Sequence, residues 1–122
     1  MKIYTKTGDK GETSLFGGKR VSKSCLEMQV IGELDELNAS LGVAATLLSR
    51  NQNEDIKNIF NFIQNIQRDL FKIGAELAAL QGPFEESVEK IDNTRVKEME
   101  IFIDKFWGEL PELRNFILIM IV

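Results

Sequence analysis

From Ser24 onward, apolar residues recur at intervals of three and four: Leu34, Leu37, Leu41, Ala44, Ala45 and Leu48 fall on one face, the spacing of an α-helix. A first helix is predicted from Ser24 to about Ser49. The polar run Arg50-Asn51-Gln52-Asn53-Glu54 breaks the pattern. Asp55 is then placed to cap a second helix, whose stripe of Ile56, Ile59, Ile63, Ile66, Leu70, Ile73, Leu77 and Leu80 is nearly continuous over about seven turns. Gln81-Gly82-Pro83 stops it, because glycine suits a helix C-cap and proline cannot continue the hydrogen-bond ladder. A loop is expected to about Asn93, where Asn93 or Thr94 caps a third helix. That helix turns Val96, Met99, Phe102, Ile103 and Phe106 inward and ends near Trp107-Gly108. Leu110-Pro111 begins a short connector. Residues 2–5 suit a short extended piece, and the arm to about Ser22 reads as loop, since glycines and lysines interrupt any period. Long amphipathic helices, short polar links and no alternating strand pattern predict an all-α helical bundle. It is expected as one domain over residues 1–122, with an arm at 1–23 and the bundle at 24–122. No internal repeat or low-complexity segment is visible.

Composition adds one asymmetry. At 122 residues, 43% hydrophobic and 28% charged, the chain has the makeup of a single globular domain, near the size at which oligomerisation often helps. Its net charge of −4 is unevenly spread: residues 1–25 hold six Lys or Arg against Asp9 and Glu12, and the remainder holds nine against seventeen. A small basic arm on an acidic body argues against nucleic acid, which wants a broad basic face, and for a compact polyanion such as a nucleotide. A triphosphate fits the scale. There is no histidine, which removes His-based triads, His-ligated metals and imidazole bases. The single Cys25 forms no internal disulfide and has no second Cys for a zinc site, so a partly buried, reduced thiol is expected. Met1-Lys2-Ile3-Tyr4 lacks the apolar core of a signal peptide. The longest purely apolar run, Phe116–Val122, is seven residues, far short of a membrane span. A cytoplasmic location is expected, with no membrane partner.

The candidate chemistry sits in the arm. Lys6-Thr7-Gly8-Asp9-Lys10-Gly11-Glu12-Thr13 is a glycine-punctuated run of hydroxyl and charged residues. Gly8 and Gly11 permit backbone conformations that turn successive N–H groups onto one oxyanion, and Thr5, Thr7, Thr13 and Ser14 add hydroxyls. Lys6, Lys10, Lys19, Arg20 and Lys23 supply counter-charge. The run is not a P-loop: Phe16 stands five residues after Gly11, and Gly18-Lys19 is followed by Arg20 rather than Ser or Thr. On these residues alone, an anion cradle and a solvated arm rich in turn residues are both open.

The first helix carries Gln29, Glu33, Asp35, Glu36 and Asn38 beside the small residues Gly32, Ala39, Ser40 and Gly42. Glu36 reads as part of a solvated face. Asp35 and Asn38, three apart, project from one side, where a carboxylate can pair with an arginine of another element.

Lys2 to Gly11, Arg20-Val21 and Gly32-Glu33-Leu34-Asp35-Glu36-Leu37-Asn38 together resemble the PduO-type ATP:cob(I)alamin adenosyltransferases. The likeness continues in Ile66-Gln67, in Leu70 to Ala78, in Leu110-Pro111-Glu112-Leu113 and in Phe116-Ile117-Leu118. Separated blocks in the right order make the match specific. The resemblance implies a homotrimer of five-helix bundles in which the cobalt(I) of reduced cobalamin attacks the 5′ carbon of ATP and releases triphosphate. Cobalt(I) is a strong nucleophile, so the protein orients ATP and stabilises the leaving group rather than supplying a base. By the same resemblance, Thr5, Lys6, Thr7, Gly8, Asp9, Gly11, Thr13, Lys23 and Asn38 contact ATP. Magnesium (Mg2+) bridges the phosphates with no assigned protein ligand, and no catalytic residue is assigned. Asp35 pairs across a subunit boundary with an arginine near the cobalamin, and Phe116 presses on the corrin's lower face. A cobalamin reductase and a cobalamin-dependent enzyme are implied as partners.

Two positions depart from the family pattern. Gln29 stands where Glu is usual, and after Leu118 the family continues with Pro-Gly-Gly and an Arg- and Glu-rich helix where this chain reads Ile119-Met120-Ile121-Val122. On that reading the C-terminal helical part is missing. Self-association through uncovered apolar stripes and low adenosyltransferase activity of the chain as given are then expected. The alternative is a truncated, weakly active or inactive module for nucleotide binding or self-association.

Overall fold

The computed structural model describes residues 2–80 and 82–117. Met1, Gln81 and residues 118–122 lie outside the described residues, and with them Gln81 of the predicted helix stop, Leu118 of the Phe116–Leu118 block and the Ile119–Val122 ending. The chain forms two compact units, Met1–Ile91 and Asp92–Val122.

The first unit holds a hairpin and two long helices. Strands β1 (Glu12–Ser14) and β2 (Arg20–Ser22) precede α1 (Leu26–Leu48) and α2 (Glu54–Ala79), and a short 3-10 turn follows at Glu85–Ser87. Apart from the hairpin the architecture is helical, as the periodicity predicts.

The hairpin corrects the loop expected before Ser22. Its strands pair antiparallel, with Glu12 opposite Ser22, Thr13 opposite Val21 and Ser14 opposite Arg20. Gly17 (φ 98°) and Gly18 (φ 87°) lie in the left-handed region, so the glycines form the turn that joins two strands rather than dissolving them. Leu15 N–H to Lys19 O (2.9 Å) and Gly18 N–H to Leu15 O (3.0 Å) close that turn.

Caps set the helix ends. Cys25, extended at φ −70° and ψ 160°, delays α1 to Leu26. Glu27 in its first turn accepts from its own backbone N–H and from the Cys25 side chain, which holds its carboxyl below the usual range. The cap of α2 is Asn53, not Asp55: the Asn53 side chain accepts from the N–H groups of Asp55 (2.7 Å) and Ile56 (3.2 Å). An earlier amide therefore takes the orphan donors and leaves Glu54 and Asp55 as first-turn anions facing the positive helix end.

α1 and α2 run side by side in opposite directions. Gln67 donates Nε2–H to the Asn38 carbonyl at 3.1 Å, and a Cβ on Gly42 would sit 3.5 Å from the same nitrogen. Ala45, Ala79 and Leu15 are buried, with the carboxylate-bearing Asp69 at 6% exposure. The α2 stripe from Ile56 to Leu77 is half-buried. Leu37, placed on the inward stripe by its spacing, is 48% exposed, because α2 covers only part of the α1 face.

The second unit is α3 (Asn93–Trp107) with the segment after it. Its cap is Asp92, one residue before the expected Asn93 or Thr94. The Asp92 carboxylate accepts from the Thr94 N–H at 2.7 Å and from the Thr94 hydroxyl. Phe102 and Phe106 meet at 5.0 Å between ring centroids and are half-buried with Met99. Val96 (51%) and Ile103 (57%) are exposed. Both lie about 40–60° round the helix from Met99, on the side away from Phe102.

Candidate nucleotide cradle and adjoining groove

The arm folds around Gly8. Lys6 has φ 59°, a left-handed conformation uncommon for a residue with a side chain, and Gly11 has φ 83°. Short loop bonds fix the path: Asp9 N–H to Lys6 O (3.5 Å), Gly11 N–H to Gly8 O (3.1 Å) and Lys23 N–H to Gly11 O (2.8 Å). Thr5 and Thr7 share a hydroxyl hydrogen bond of 2.9 Å. A Cβ on Gly8 would lie 3.1 Å from both Lys23 Nζ and the Glu12 carbonyl, so only glycine lets the ammonium come this close without a shift. The Lys2 and Lys6 ammonium groups sit 5.7 and 5.8 Å from the Tyr4 ring centroid. The backbone turns at Gly8 and Gly11 with the Lys23 ammonium beside them form an arrangement suited to holding an anion.

The predicted residues divide between two clusters. Gly8, Gly11 and Lys23 meet through the contacts above, while local bonds join Asp9 to Lys6 and Thr5 to Thr7 in the adjoining loop. Thr13 lies next to them on β1, half-buried opposite Val21. Asp35 and Asn38 belong to a second cluster, on α1, where they share a groove of about 460 Å³ with Met28, Ile31, Leu34, Leu70, Phe71 and Gly74. Asn38 also lines a neighbouring groove of about 670 Å³ with Gln64, Gln67, Arg68, Phe71, Lys72 and Glu89. The ion pairs Lys72–Glu89 (2.5 Å) and Lys90–Glu76 (3.7 Å) tie the segment before Ile91 to successive turns of α2. The Asn38 Oδ1 is buried with no hydrogen-bond partner among the described residues, on a residue that lines both grooves. Phe116 belongs to the second unit and is fully exposed.

Sequence reasoning missed two contributors. Arg20 was expected only as counter-charge, yet its Nη2 donates to the Thr7 carbonyl at 2.9 Å. Phe71, which the resemblance places in the Leu70 to Ala78 block without a role, is 77% exposed and lines both grooves. The signal for Arg20 is the Gly17-Gly18 pair between Ser14 and Arg20, which marks a hairpin turn and sets the two residues opposite each other. Among the described residues, no group of three His, Cys, Asp or Glu is placed to hold a metal ion. No described helix is long and apolar enough to cross a membrane.

Residues 3–120 match the profile of the family described as cobalamin adenosyltransferase. The chain belongs to this family. Among cobalamin adenosyltransferase relatives, it is 39% identical over 118 residues to the corrinoid adenosyltransferase of Bacillus subtilis, covering 97% of this chain and 58% of that protein. It is 38% identical over 118 residues to the corrinoid adenosyltransferase PduO of Citrobacter freundii, covering 97% of this chain and 33% of that one. A solved variant of the PduO-type ATP:corrinoid adenosyltransferase from Lactobacillus reuteri, complexed with cobalamin and ATP, superimposes with a TM-score of 0.81 at 31% identity. It covers 96% of this chain and 62% of that structure. The chain therefore spans between a third and about three fifths of the length of these relatives.

Proposed function

We propose that this chain carries the ATP-binding arm and the corrinoid-facing helices of an ATP:corrinoid adenosyltransferase, as one adenosyltransferase-like domain. The observation that carries the reading is the cradle: left-handed Lys6, with the Lys23 ammonium closed over Gly8, in a chain of this family. The solved relative's complex with cobalamin and ATP supports the choice of ligands.

In the proposed reaction, the cobalt(I) of a reduced corrinoid substrate forms a bond to the 5′ carbon of ATP. The bond from that carbon to the phosphate oxygen breaks, and triphosphate leaves with the electron pair. No proton moves, so the reaction asks the protein for alignment and charge stabilisation. Thr5, Lys6, Thr7, Gly8, Asp9, Gly11, Thr13 and Lys23 hold the nucleotide, with the lysines offsetting charge that grows on the leaving oxygens. Asn38 contacts the nucleotide where the grooves meet, and Asp35 and Phe116 serve the corrinoid side. Mg2+ would accompany ATP and offset phosphate charge, with no protein ligand assigned to it. The active form is a homotrimer in the cytoplasm, supplied by a cobalamin reductase and delivering to a cobalamin-dependent enzyme.

The test is calorimetric titration of the chain with ATP, tripolyphosphate and adenosine. ATP and tripolyphosphate should bind and adenosine should bind far more weakly. Equal affinity for ATP and adenosine, or no binding of either phosphate ligand, overturns the reading. Adenosylcobalamin formation from chemically reduced cob(I)alamin, ATP and magnesium, followed by absorbance, tests the transfer step.

A further inference from the structure

We infer that Arg20 is the positioning residue of the cradle, acting from β2 to set the plane of the Thr7–Gly8 peptide; this rests on the nucleotide reading above. Its Nη2 donates to the Thr7 carbonyl at 2.9 Å. A peptide unit is planar and trans, so its C=O and N–H point in opposite directions. With the Thr7 oxygen drawn to the guanidinium, the Gly8 N–H is turned to the opposite side of the loop. Arg20 thereby presents a backbone donor without reaching the ligand itself.

Two features show why the loop needs such a restraint. Lys6, the residue before Thr7, is held in the left-handed region, a conformation that persists in non-glycine residues only when the surroundings impose it. The guanidinium is itself met from β1: Glu12 Oε2 lies 3.4 Å from Nη2 and Ser14 Oγ lies 3.4 Å from Nη1. Both partners stand on β1, with Ser14 directly opposite Arg20 in the ladder. The hairpin therefore works as a bracket whose strand cation, Arg20, bonds backward into the cradle. The planar fork spans a backbone carbonyl, a hydroxyl and a carboxylate together, which a lysine ammonium on a flexible stem does not reproduce.

The experiment uses Arg20→Ala, Arg20→Lys and Glu12→Gln, the last of which loosens the guanidinium without removing it. Hydrogen exchange at the Asp9 and Gly11 amides is read in nucleotide-free protein, and ATP affinity is read across a potassium chloride series. Arg20→Ala should speed exchange at both amides and raise the ATP Kd, each by roughly tenfold, with the salt dependence of binding unchanged. Arg20→Lys should stay close to Arg20→Ala, and Glu12→Gln should move both readouts the same way by about threefold. Full rescue by Arg20→Lys together with unchanged exchange in Arg20→Ala overturns the inference, because Arg20 would then act as a charge on the phosphates. A flattened salt dependence in Arg20→Ala overturns it for the same reason. If Arg20→Ala fails to fold by circular dichroism, Arg20→Lys and Glu12→Gln decide by the same criteria. If the unaltered chain binds no ATP but exchange still accelerates, the nucleotide reading falls and the assignment of Arg20 to the Thr7–Gly8 peptide stands.

Discussion

The Phe16 backbone N–H, at the hairpin tip, donates to the Ala78 carbonyl in the last turn of α2 at 3.0 Å. That carbonyl is one of the helix-end acceptors without an intrahelical partner, so the hairpin caps the helix while the helix anchors the hairpin. The Phe16 ring packs on Phe84 at 5.0 Å between centroids. Gly17 completes the latch, because a Cβ there would lie 3.0 Å from Pro83 Cδ. The basic arm is therefore fastened at its far end, and the cradle is built on that fastening.

Gly17→Val should break the latch. It adds atoms against the Pro83 ring and places a β-branched residue at φ 98°, which together should lower unfolding stability by about 1–3 kcal/mol. Urea unfolding measures it, and a midpoint within error of the unaltered chain would show that the tip tolerates the strain.

Asn53→Ala should destabilise α2 by about 1 kcal/mol, since both N–H groups capped by its side chain lose their acceptor. Asp55→Ala should have less than about half that effect, its carboxylate contributing only through the helix dipole. Thermal unfolding of the two variants ranks them, and the reverse order would return the cap to Asp55.

The Asp92 cap gives a pH dependence with a defined sign. The Thr94 hydroxyl first, and then the Thr94 backbone N–H, hold the Asp92 carboxyl below its ordinary value, so the folded pKa lies under the unfolded value of about 3.9. The stabilisation is present above that unfolded value and is lost as pH falls through the lower folded one. Far-UV circular dichroism during an acid titration should show helix loss in that window, and Asp92→Asn should flatten that part of the curve. An identical curve for both would remove Asp92 as the titrating group.

Periodicity was enough for the helices, because stripes such as Ile56 to Leu77 admit one face and one repeat. It failed for Leu37, Val96 and Ile103, since spacing says which residues share a side but not how wide a sector a neighbour covers. The caps slipped by one or two positions wherever several capping residues stand in a row, as in Asn53-Glu54-Asp55 and Asp92-Asn93-Thr94. Only the backbone geometry selects among them. Glycine spacing and charge point to the arm as a candidate anion cradle, while the residue-by-residue assignment follows from the family resemblance. The role of Arg20 follows from neither, because it depends on a six-residue sequence separation from Ser14 becoming a direct cross-strand pair. That information lies in the turn made by Gly17 and Gly18.

Asn38 offers the sharpest separation of fold from function. Its backbone carbonyl is taken by Gln67, a bond that survives any side-chain replacement, while its Oδ1 is buried with no partner among the described residues. A buried acceptor left unpaired costs about 1–3 kcal/mol, so the free chain carries a penalty that an apolar side chain of similar size would remove. Asn38→Leu should then leave unfolding stability unchanged or raise it by up to about 1 kcal/mol. If ATP or corrinoid supplies the missing donor, the same variant should weaken binding of that ligand by roughly tenfold, or about 1.4 kcal/mol. Chemical unfolding and calorimetric titration of one preparation read both quantities. A clear loss of stability with unchanged affinity for both ligands would make Asn38 a packing residue and remove it from the site.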